Sequence, residues 1–248
     1  MSPATPPPAG QSLGQDTQLQ AGKEAPRRDA AQEKRRKAAA ECRTQAECPE
    51  AAESLTRLPP PATRVQHSRE SAEQVIAATR TWLEKAVIGL QLCPFASGPY
   101  LNDRVRYCVS EKGSGDGLLD DLACELQALQ ASDPLQCETT LLIHPLAFTQ
   151  FSDYNEFLGD CEDAVRRLGF EGELQVASFH PSYQFAAAGA DDIENYSNRS
   201  PYPMLHLLRE VSITRAVASF PGVNDIGTRN MQTLQRLGHE GWRRLWLV

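Results

Sequence analysis

The sequence predicts an α/β domain with a small sheet of three or four mainly parallel strands, helices packed on the faces of the sheet, and a disordered N-terminal tail. Two observations predict this class. All 17 Phe, Trp and Tyr residues lie at Trp82 or later. After residue 68, short strand-like runs alternate with segments of helical periodicity, which is the order of βαβ units. A ferredoxin-like α+β arrangement is the alternative, because the sequence does not exclude an antiparallel pair of strands.

Charge and composition divide the chain near residue 68. Residues 1–68 contain 9 of the 17 prolines and carry 10 basic and 8 acidic residues, whereas residues 69–248 carry 15 basic and 24 acidic residues. The first segment lacks the apolar material of a core and is predicted to be disordered. The second is predicted to form one globular domain, whose negative charge argues against a nucleic-acid-binding protein.

The chain has no apolar run of the roughly 18 to 20 residues that a membrane span requires, so no membrane association is expected. The first 20 residues lack the basic and apolar regions of a secretory signal. The seven cysteines include no Cys-x-x-Cys pair, which is typical of a reduced compartment. These features predict a cytoplasmic protein.

The first half of the predicted domain alternates between helix and strand. Its predicted elements are a helix from Ser71 to near Cys93, a strand over residues 104–110, a helix from Leu118 to Ser132, and a strand over Thr139–Ile143. Ser71 and Gln74 have the spacing of a capping box, which marks the start of the first helix. Pro94 ends that helix, since a proline disfavours the helical conformation of the preceding residue.

The second half continues the alternation. Its predicted elements are a helix from Ser152 to Gly169, a strand over Leu174–Phe179, a helix starting at Ser200-Pro201, a helix from Asp225 to Leu237, and an edge strand or tail over Arg244–Val248. Gly169 is typical of the left-handed residue that ends a helix. A serine followed by a proline is typical of a helix start, and Leu205, Leu208 and Val211 supply the apolar stripe of that helix.

A histidine follows each of two predicted strands. His144 follows the second strand and His180 follows the third. If these strands are parallel neighbours, both side chains lie at the carboxyl edge of the sheet, where open α/β sheets form ligand-binding crevices. Imidazoles there can act as acid–base groups or as metal ligands. The alternative is structural, with each histidine ending its strand and hydrogen-bonding a loop.

The loop between His180 and Ser200 is longer than most loops of compact domains, which favours a functional role. Asn198 and Arg199 precede the predicted helix start, where backbone N–H groups and a guanidinium favour an anion. Alternatively, Ser200 only caps the helix and Arg199 pairs with an aspartate. The predicted site residues are catalytic His144, His180, Asp192 and Cys93, substrate-binding Asn198, Arg199, Ser200, Tyr202 and Arg209, and metal-binding His180, Asp191 and His206.

Cys93 is a candidate nucleophile with a histidine as its base, or a metal ligand. Its position at the end of a helix disfavours a nucleophilic role, because the negative end of the helix dipole raises the pKa of a thiol. Burial as a small apolar residue is the alternative.

Six blocks of sequence carry a resemblance to a known family. They are Leu92–Ala96, Leu142–Pro145, Asp153–Leu158, Gln175–Pro181, Asn198–Pro203 and Leu205–Glu210. Together they resemble the domain of unknown function 1415 family over about Ser71 to Trp242, with the N-terminal tail outside. Ala187-Ala188 departs from the Gly or Thr expected at that place. The family has no assigned reaction, so the resemblance implies no catalytic residue and no substrate.

The sequence supports two functional hypotheses. The first is a small intracellular enzyme, a hydrolase or group transferase with a divalent metal ion as candidate cofactor, acting on a compact anionic small molecule. It would use His144 and His180 as acid–base groups or ligands, an aspartate as carboxylate and Arg199 as an anion clamp. The second is a non-catalytic module in which the same loop binds a small ligand or a peptide. The enzyme requires these side chains to converge in a concave site, whereas the module does not.

Overall fold

The computed structural model of the protein describes residues 70–220, 222 and 225–246. The strands are β1 (Val105–Val109), β2 (Thr139–Ile143), β3 (Leu174–Phe179) and β4 (Met204–Arg209). The helices are α1 (Ala72–Trp82, continued by a π-helical turn over Leu83–Ile88), α2 (Ser97–Leu101), α3 (Gly115–Ala131), α4 (Phe151–Arg167), α5 (Glu210–Ser219) and α6 (Ile226–Arg244), with a 3₁₀ turn over Ile193–Ser197. The predicted disordered tail lies outside the described residues. None of the described helices is both long and apolar enough to cross a membrane.

The four strands form one open sheet in the order β1-β2-β4-β3. Strands β1 and β2 are parallel, whereas β4 runs antiparallel to both of its neighbours, β2 and β3. The α/β class is confirmed, but the prediction of a mainly parallel sheet is wrong because β4 reverses the direction at its centre. The element order also differs from the β-α-β-β-α-β order of ferredoxin-like folds, since α4 lies between β2 and β3 and the described connection from β3 to β4 contains no α-helix.

The helix predicted to start at Ser200-Pro201 is wrong. Residues Met204–Arg209 form strand β4, and helix α5 begins only at Glu210. A central strand is buried on both faces, so its apolar run is nearly continuous and its periodicity resembles that of a buried helix segment. Ser200 closes a turn instead of capping a helix, and its hydroxyl donates to the carbonyl of Tyr202 at 2.7 Å.

Most of the remaining elements agree with the sequence prediction, although the first helix ends at Ile88 instead of near Cys93 and the short helix α2 has no counterpart in the prediction. Strands β2 and β3 have the predicted bounds, and the capping box of Ser71 and Gln74 is formed. Gly169 follows α4 with a φ of 75°, as expected for a helix-ending glycine. The last helix extends beyond the predicted end to Arg244, through a break at Gly238 whose φ of 62° and ψ of 174° are accessible to glycine.

The two faces of the sheet carry separate apolar clusters. On one face α3 and α4 pack against Leu142, Leu205 and Leu207. On the other face α1 and α6 pack against Ile143 and Met204. The sheet is therefore covered by helices on both sides, and alternate residues of each strand belong to opposite faces.

Arg209 joins the end of β4 to the end of α3. Its guanidinium donates hydrogen bonds to the backbone carbonyls of Leu129, Ser132 and Cys137. The last carbonyls of a helix lack intrahelical partners, so this cation satisfies the C-terminus of α3 and matches the sign of its dipole. The side chain of Arg209 is only 6% exposed. These contacts give Arg209, a predicted substrate-binding residue, a structural role at the end of α3.

We expect Arg209→Met to lower the free energy of unfolding by about 3 kcal/mol, because the substitution removes the buried hydrogen bonds of the guanidinium to three carbonyls and its favourable interaction with the C-terminus of α3. Urea denaturation followed by circular dichroism measures this change. Arg243→Met is the matched control: Arg243 forms an exposed ion pair with Glu240, and such pairs contribute at most about 1 kcal/mol. Equal losses in the two variants would contradict the structural role of Arg209.

Candidate functional site

His144 and His180 lie at the same edge of the sheet, as predicted, but β4 separates the strands that they follow. The ring of Tyr154, from α4, stacks against both imidazoles, with centroid distances of 5.6 Å to His144 and 5.2 Å to His180. All three side chains are fully buried. The two histidines thus belong to one aromatic stack, in which the ring of Tyr154 contacts both imidazoles.

The hydrogen bonds of His180 fix its ring in the neutral form. Its Nδ1 accepts from the backbone N–H of Ser182 at 3.0 Å, and its Nε2 donates to the carbonyl of Phe148 at 3.1 Å. Burial lowers the pKa of His180, which agrees with a neutral ring. Both nitrogens of His180 therefore bind loop backbone, as expected for a histidine that ends its strand and has a structural role.

His144 keeps one nitrogen open. Its Nδ1 donates to the carbonyl of Ala147 at 3.0 Å, so the neutral ring has its lone pair on Nε2. Among the described residues no partner reaches this buried Nε2 atom. Burial lowers the pKa of His144 to about 4. The ring is chemically able to accept a proton, but it has no accessible surface through which a substrate could reach it.

The loop after β3 is held by its own polar side chains. The guanidinium of Arg199 donates to the carbonyls of Tyr183 at 3.3 Å and Ala190 at 2.6 Å, and lies 4.3 Å from the ring centre of Tyr196. Asn198 donates to the carbonyl of Ser178 at 3.3 Å. No helix begins at these residues, so the helix N-terminus that was expected to favour an anion is absent from this described segment.

The remaining predicted residues of the loop also make local contacts. Asp192 accepts from the backbone N–H of Gly189 at 2.7 Å, and Asp191 is exposed. The hydroxyl of Tyr202 donates to Glu70 at 2.7 Å, and burial together with this carboxylate raises the pKa of Tyr202 to about 12. Asn195 is not among the predicted site residues, but it is fully buried and binds the backbone of Gly189 and Phe185.

The predicted metal ligands do not converge. His180 lies in the stack on the α4 side of the sheet, whereas His206 lies in the middle of β4 and its ring is 6.1 Å from that of Phe179, on the α1 side. Among the described residues there is no group of three His, Cys, Asp or Glu side chains that could hold a metal ion. The described structure therefore does not bring the three predicted metal ligands, His180, Asp191 and His206, to one place.

A cavity of about 360 Å³ lies on the α1 side of the sheet, and we call it the sheet-face cavity. Its floor consists of two rows of paired strand residues, Leu141, His206 and Ala177 in one row and Thr139, Leu208 and Gln175 in the next. The third row, Ile143, Met204 and Phe179, lies beside them, with Ile143 and Met204 covered by helices.

The walls of the sheet-face cavity come from three segments. They are the end of α1 with Trp82, Leu83 and Val87, the connection to β1 with Cys93, Phe95, Ala96 and Pro99, and one side of α5 with Ser212, Ile213 and Ala216. Trp82 is fixed by its Nε1, which donates to the carbonyl of Arg199 at 2.8 Å, and by an edge contact with Phe179 at 5.2 Å. The π-helical turn Leu83–Ile88 begins at this wall, and such turns are frequent at functional sites.

His206 is the central polar group of the sheet-face cavity. Its Nε2 lies 2.7 Å from the hydroxyl of Thr139. The ring keeps part of its surface accessible, and it lines the cavity from the middle row of the floor. Burial lowers the pKa of His206 to about 4, so the ring is neutral at pH 7.

The charged residues of the cavity lining already have partners. Glu138 forms an ion pair with Arg104 at 3.1 Å, and Arg209 binds the end of α3. Cys93 also lines the cavity, and burial raises the pKa of its thiol. The sheet-face cavity therefore presents a neutral surface at pH 7.

Comparison with known proteins identifies the family. A family model described as a protein of unknown function (DUF1415) matches residues 74–244. The chain belongs to the DUF1415 family. Comparison with curated proteins and with solved structures finds no match. The resemblance found in the sequence is thus confirmed. The geometry of this DUF1415 protein is the basis for assigning its site.

Sequence reasoning selected His206 but missed the residues around it. Thr139, Ala177 and Trp82 reach the cavity because β4 places its row beside those of β2 and β3. The available signal was the alternation of Leu205, His206 and Leu207, which in a strand places the histidine on the opposite face from both leucines. In this DUF1415 chain the helical spacing of Leu205, Leu208 and Val211 competes with that alternation and predicts a helix instead.

We expect the stability of the protein to fall as the pH drops from 6.5 towards 4. The folded pKa of His144 is below the unfolded value of about 6.5, so the unfolded state binds the extra proton in this window. One such histidine contributes about 1.4 kcal/mol per pH unit. His144→Asn keeps a donor for Ala147 and should reduce the loss between pH 6.5 and pH 5 by on the order of 2 kcal/mol.

Urea denaturation at several pH values measures this effect. Tyr154→Phe is the control, because it keeps His144 and the aromatic stack while removing only the hydroxyl that binds the carbonyl of Met204. A wild-type pH slope that His144→Asn leaves unchanged would show that His144 is not protonated on unfolding in this range.

Proposed function

We propose that the protein binds a small, neutral and mainly apolar organic molecule in the sheet-face cavity, as a binding module. The observation that carries this proposal is the cavity itself, about 360 Å³ of space over the middle of the sheet with His206 on its floor. Ligand sites in proteins are typically concave, measure about 300–1,000 Å³, and are lined by apolar side chains with a few placed polar groups. The sheet-face cavity has this composition.

The volume supports a ligand of one or two rings. An apolar cavity of about 150 Å³ is large enough to hold benzene. The sheet-face cavity is more than twice that size. It therefore suits a substituted single ring, a pair of fused rings or an aliphatic molecule of similar bulk.

The charges support a neutral ligand over the anionic one expected from the sequence. Glu138 and Arg209 are engaged with partners inside the protein, so neither is free to pair with a charge on the ligand. A charge placed in an apolar site without a partner costs several kcal/mol of binding free energy. Arg199, the predicted anion clamp, binds loop carbonyls and is not among the residues that line the sheet-face cavity.

The enzyme hypothesis has less support from the same geometry. A catalytic acid or base must come within hydrogen-bond reach of the proton that it transfers. His144 and His180 are fully buried and are not among the residues that line the sheet-face cavity. Cys93 does line it, but burial raises the pKa of its thiol, so the reactive thiolate is scarce at pH 7.

Two probes with the same ring system test the proposal. We expect 1-naphthol to bind to the full chain in isothermal titration calorimetry and to raise the melting temperature, because it binds the folded state. We expect 1-naphthalenesulfonate, which carries a charge on the same ring system, to bind at least tenfold more weakly. Tighter binding of the sulfonate would contradict a neutral ligand.

A matched pair of variants locates the site. Ala177→Leu adds bulk in the middle row of the cavity floor and should weaken 1-naphthol binding at least tenfold. Ala128→Leu makes the same change at an exposed position of α3 and should leave binding unchanged. Melting temperatures without the probe show whether both variants fold. Unchanged affinity in a folded Ala177→Leu variant would place the probe elsewhere and overturn the proposal.

A further inference from the structure

We propose that the ligand of the sheet-face cavity carries a hydrogen-bond donor, a hydroxyl or N–H group, which it gives to Nδ1 of His206. This inference rests on the proposed function and specifies its ligand class. It follows from the position of a single proton in the Thr139–His206 pair.

The hydroxyl of Thr139 contacts two groups at hydrogen-bond distance. Its oxygen lies 2.6 Å from the backbone carbonyl of Leu207 and 2.7 Å from Nε2 of His206. A carbonyl oxygen can only accept a hydrogen bond, and a hydroxyl has one proton to donate. The proton of Thr139 therefore points to Leu207, and Nε2 of His206 must donate to Thr139.

The same count of protons determines that the other ring nitrogen, Nδ1, is unprotonated. A neutral imidazole carries one proton, and Nε2 holds it, so Nδ1 presents a lone pair. Burial lowers the pKa of His206 to about 4, which keeps the ring neutral at pH 7. The backbone thus determines the tautomer of His206 through Thr139, since the carbonyl of Leu207 can only accept the proton of the Thr139 hydroxyl.

The surroundings leave this lone pair to the cavity. In the described part of the chain, the only hydrogen bond of the His206 ring is the one from Nε2. The pairing neighbours of His206 in the floor are Leu141 and Ala177, which offer no side-chain donor. Nδ1 is not among the fully buried side-chain atoms that lack a partner, and His206 lines the cavity, so an incoming molecule can reach the acceptor.

Complementarity then selects the ligand. A ligand with a hydroxyl or N–H group gains a hydrogen bond in a mainly apolar site, where such a bond is stronger than in water. A ligand that presents an ether or carbonyl oxygen at the same place leaves two acceptors facing each other. Hydrogen bonds that are formed or lost in this way typically change affinity by about tenfold.

The test compares 4-ethylphenol with 4-ethylanisole, which share the ring and ethyl group but differ in that a methyl ether replaces the hydroxyl. We expect the full chain to bind 4-ethylphenol about tenfold more tightly in calorimetry. His206→Phe keeps an aromatic ring without the acceptor and should bind both probes with nearly equal affinity. A preference that survives unchanged in a folded His206→Phe variant would overturn the inference.

A measurement on the wild-type protein covers the case in which the variant does not fold. The ¹⁵N resonances of the His206 ring report the tautomer directly, and we expect protonated Nε2 with unprotonated Nδ1. Adding 4-ethylphenol should shift the Nδ1 resonance, whereas adding 4-ethylanisole should not. A ring protonated at Nδ1 would overturn the inference.

The outcomes separate the two proposals. Equal binding of both probes to the wild-type protein, with loss of binding in Ala177→Leu, would overturn the donor preference and leave the proposed function intact. Absence of binding by either probe, at concentrations where both are soluble, would overturn both proposals. Tighter binding of 4-ethylanisole would show that His206 donates from Nδ1 and would overturn the inference alone.

Discussion

Strand β4 pairs with β2 and β3 along its whole length, which leaves it no free edge, and helices cover both of its faces. This antiparallel insertion determines most of the other features. It places His206 at the centre of one face and brings Arg209 to the end of α3. It also separates the ends of β2 and β3, so that Tyr154 lies between His144 and His180. The cavity and the aromatic stack are consequences of one pairing.

The sequence predicts the elements whose signals are local. The capping box at Ser71, the helix-ending glycine at position 169 and the bounds of β2 and β3 all follow from side chains a few residues apart. The character of β4 does not follow from its own residues, because its apolar run is compatible with a buried helix and only its pairing with distant strands decides. The direction of the sheet was mispredicted for the same reason.

The candidate site, like the fold, depends partly on contacts between distant residues that the sequence does not reveal. Residues were selected for their reactive side chains, and most of them proved to bind backbone: His180, Asn198, Arg199, Ser200 and Arg209 satisfy carbonyls or N–H groups near them. A long ordered loop requires many such bonds, since buried backbone groups must be paired. Polar residues in a loop are therefore ambiguous in sequence. The apolar lining of the sheet-face cavity, by contrast, carries no local sign of function.

Helix α5 forms one wall of the sheet-face cavity, yet each of its ten residues retains accessible surface, and Val211 and Val217 are largely or partly exposed. A helix that buries so little apolar area loses little free energy when it detaches, and such segments open far more often than the whole domain unfolds. The sheet-face cavity can therefore open at this wall without unfolding of the whole domain. The strands beneath remain paired during this opening, because β4 keeps its pairing with both β2 and β3.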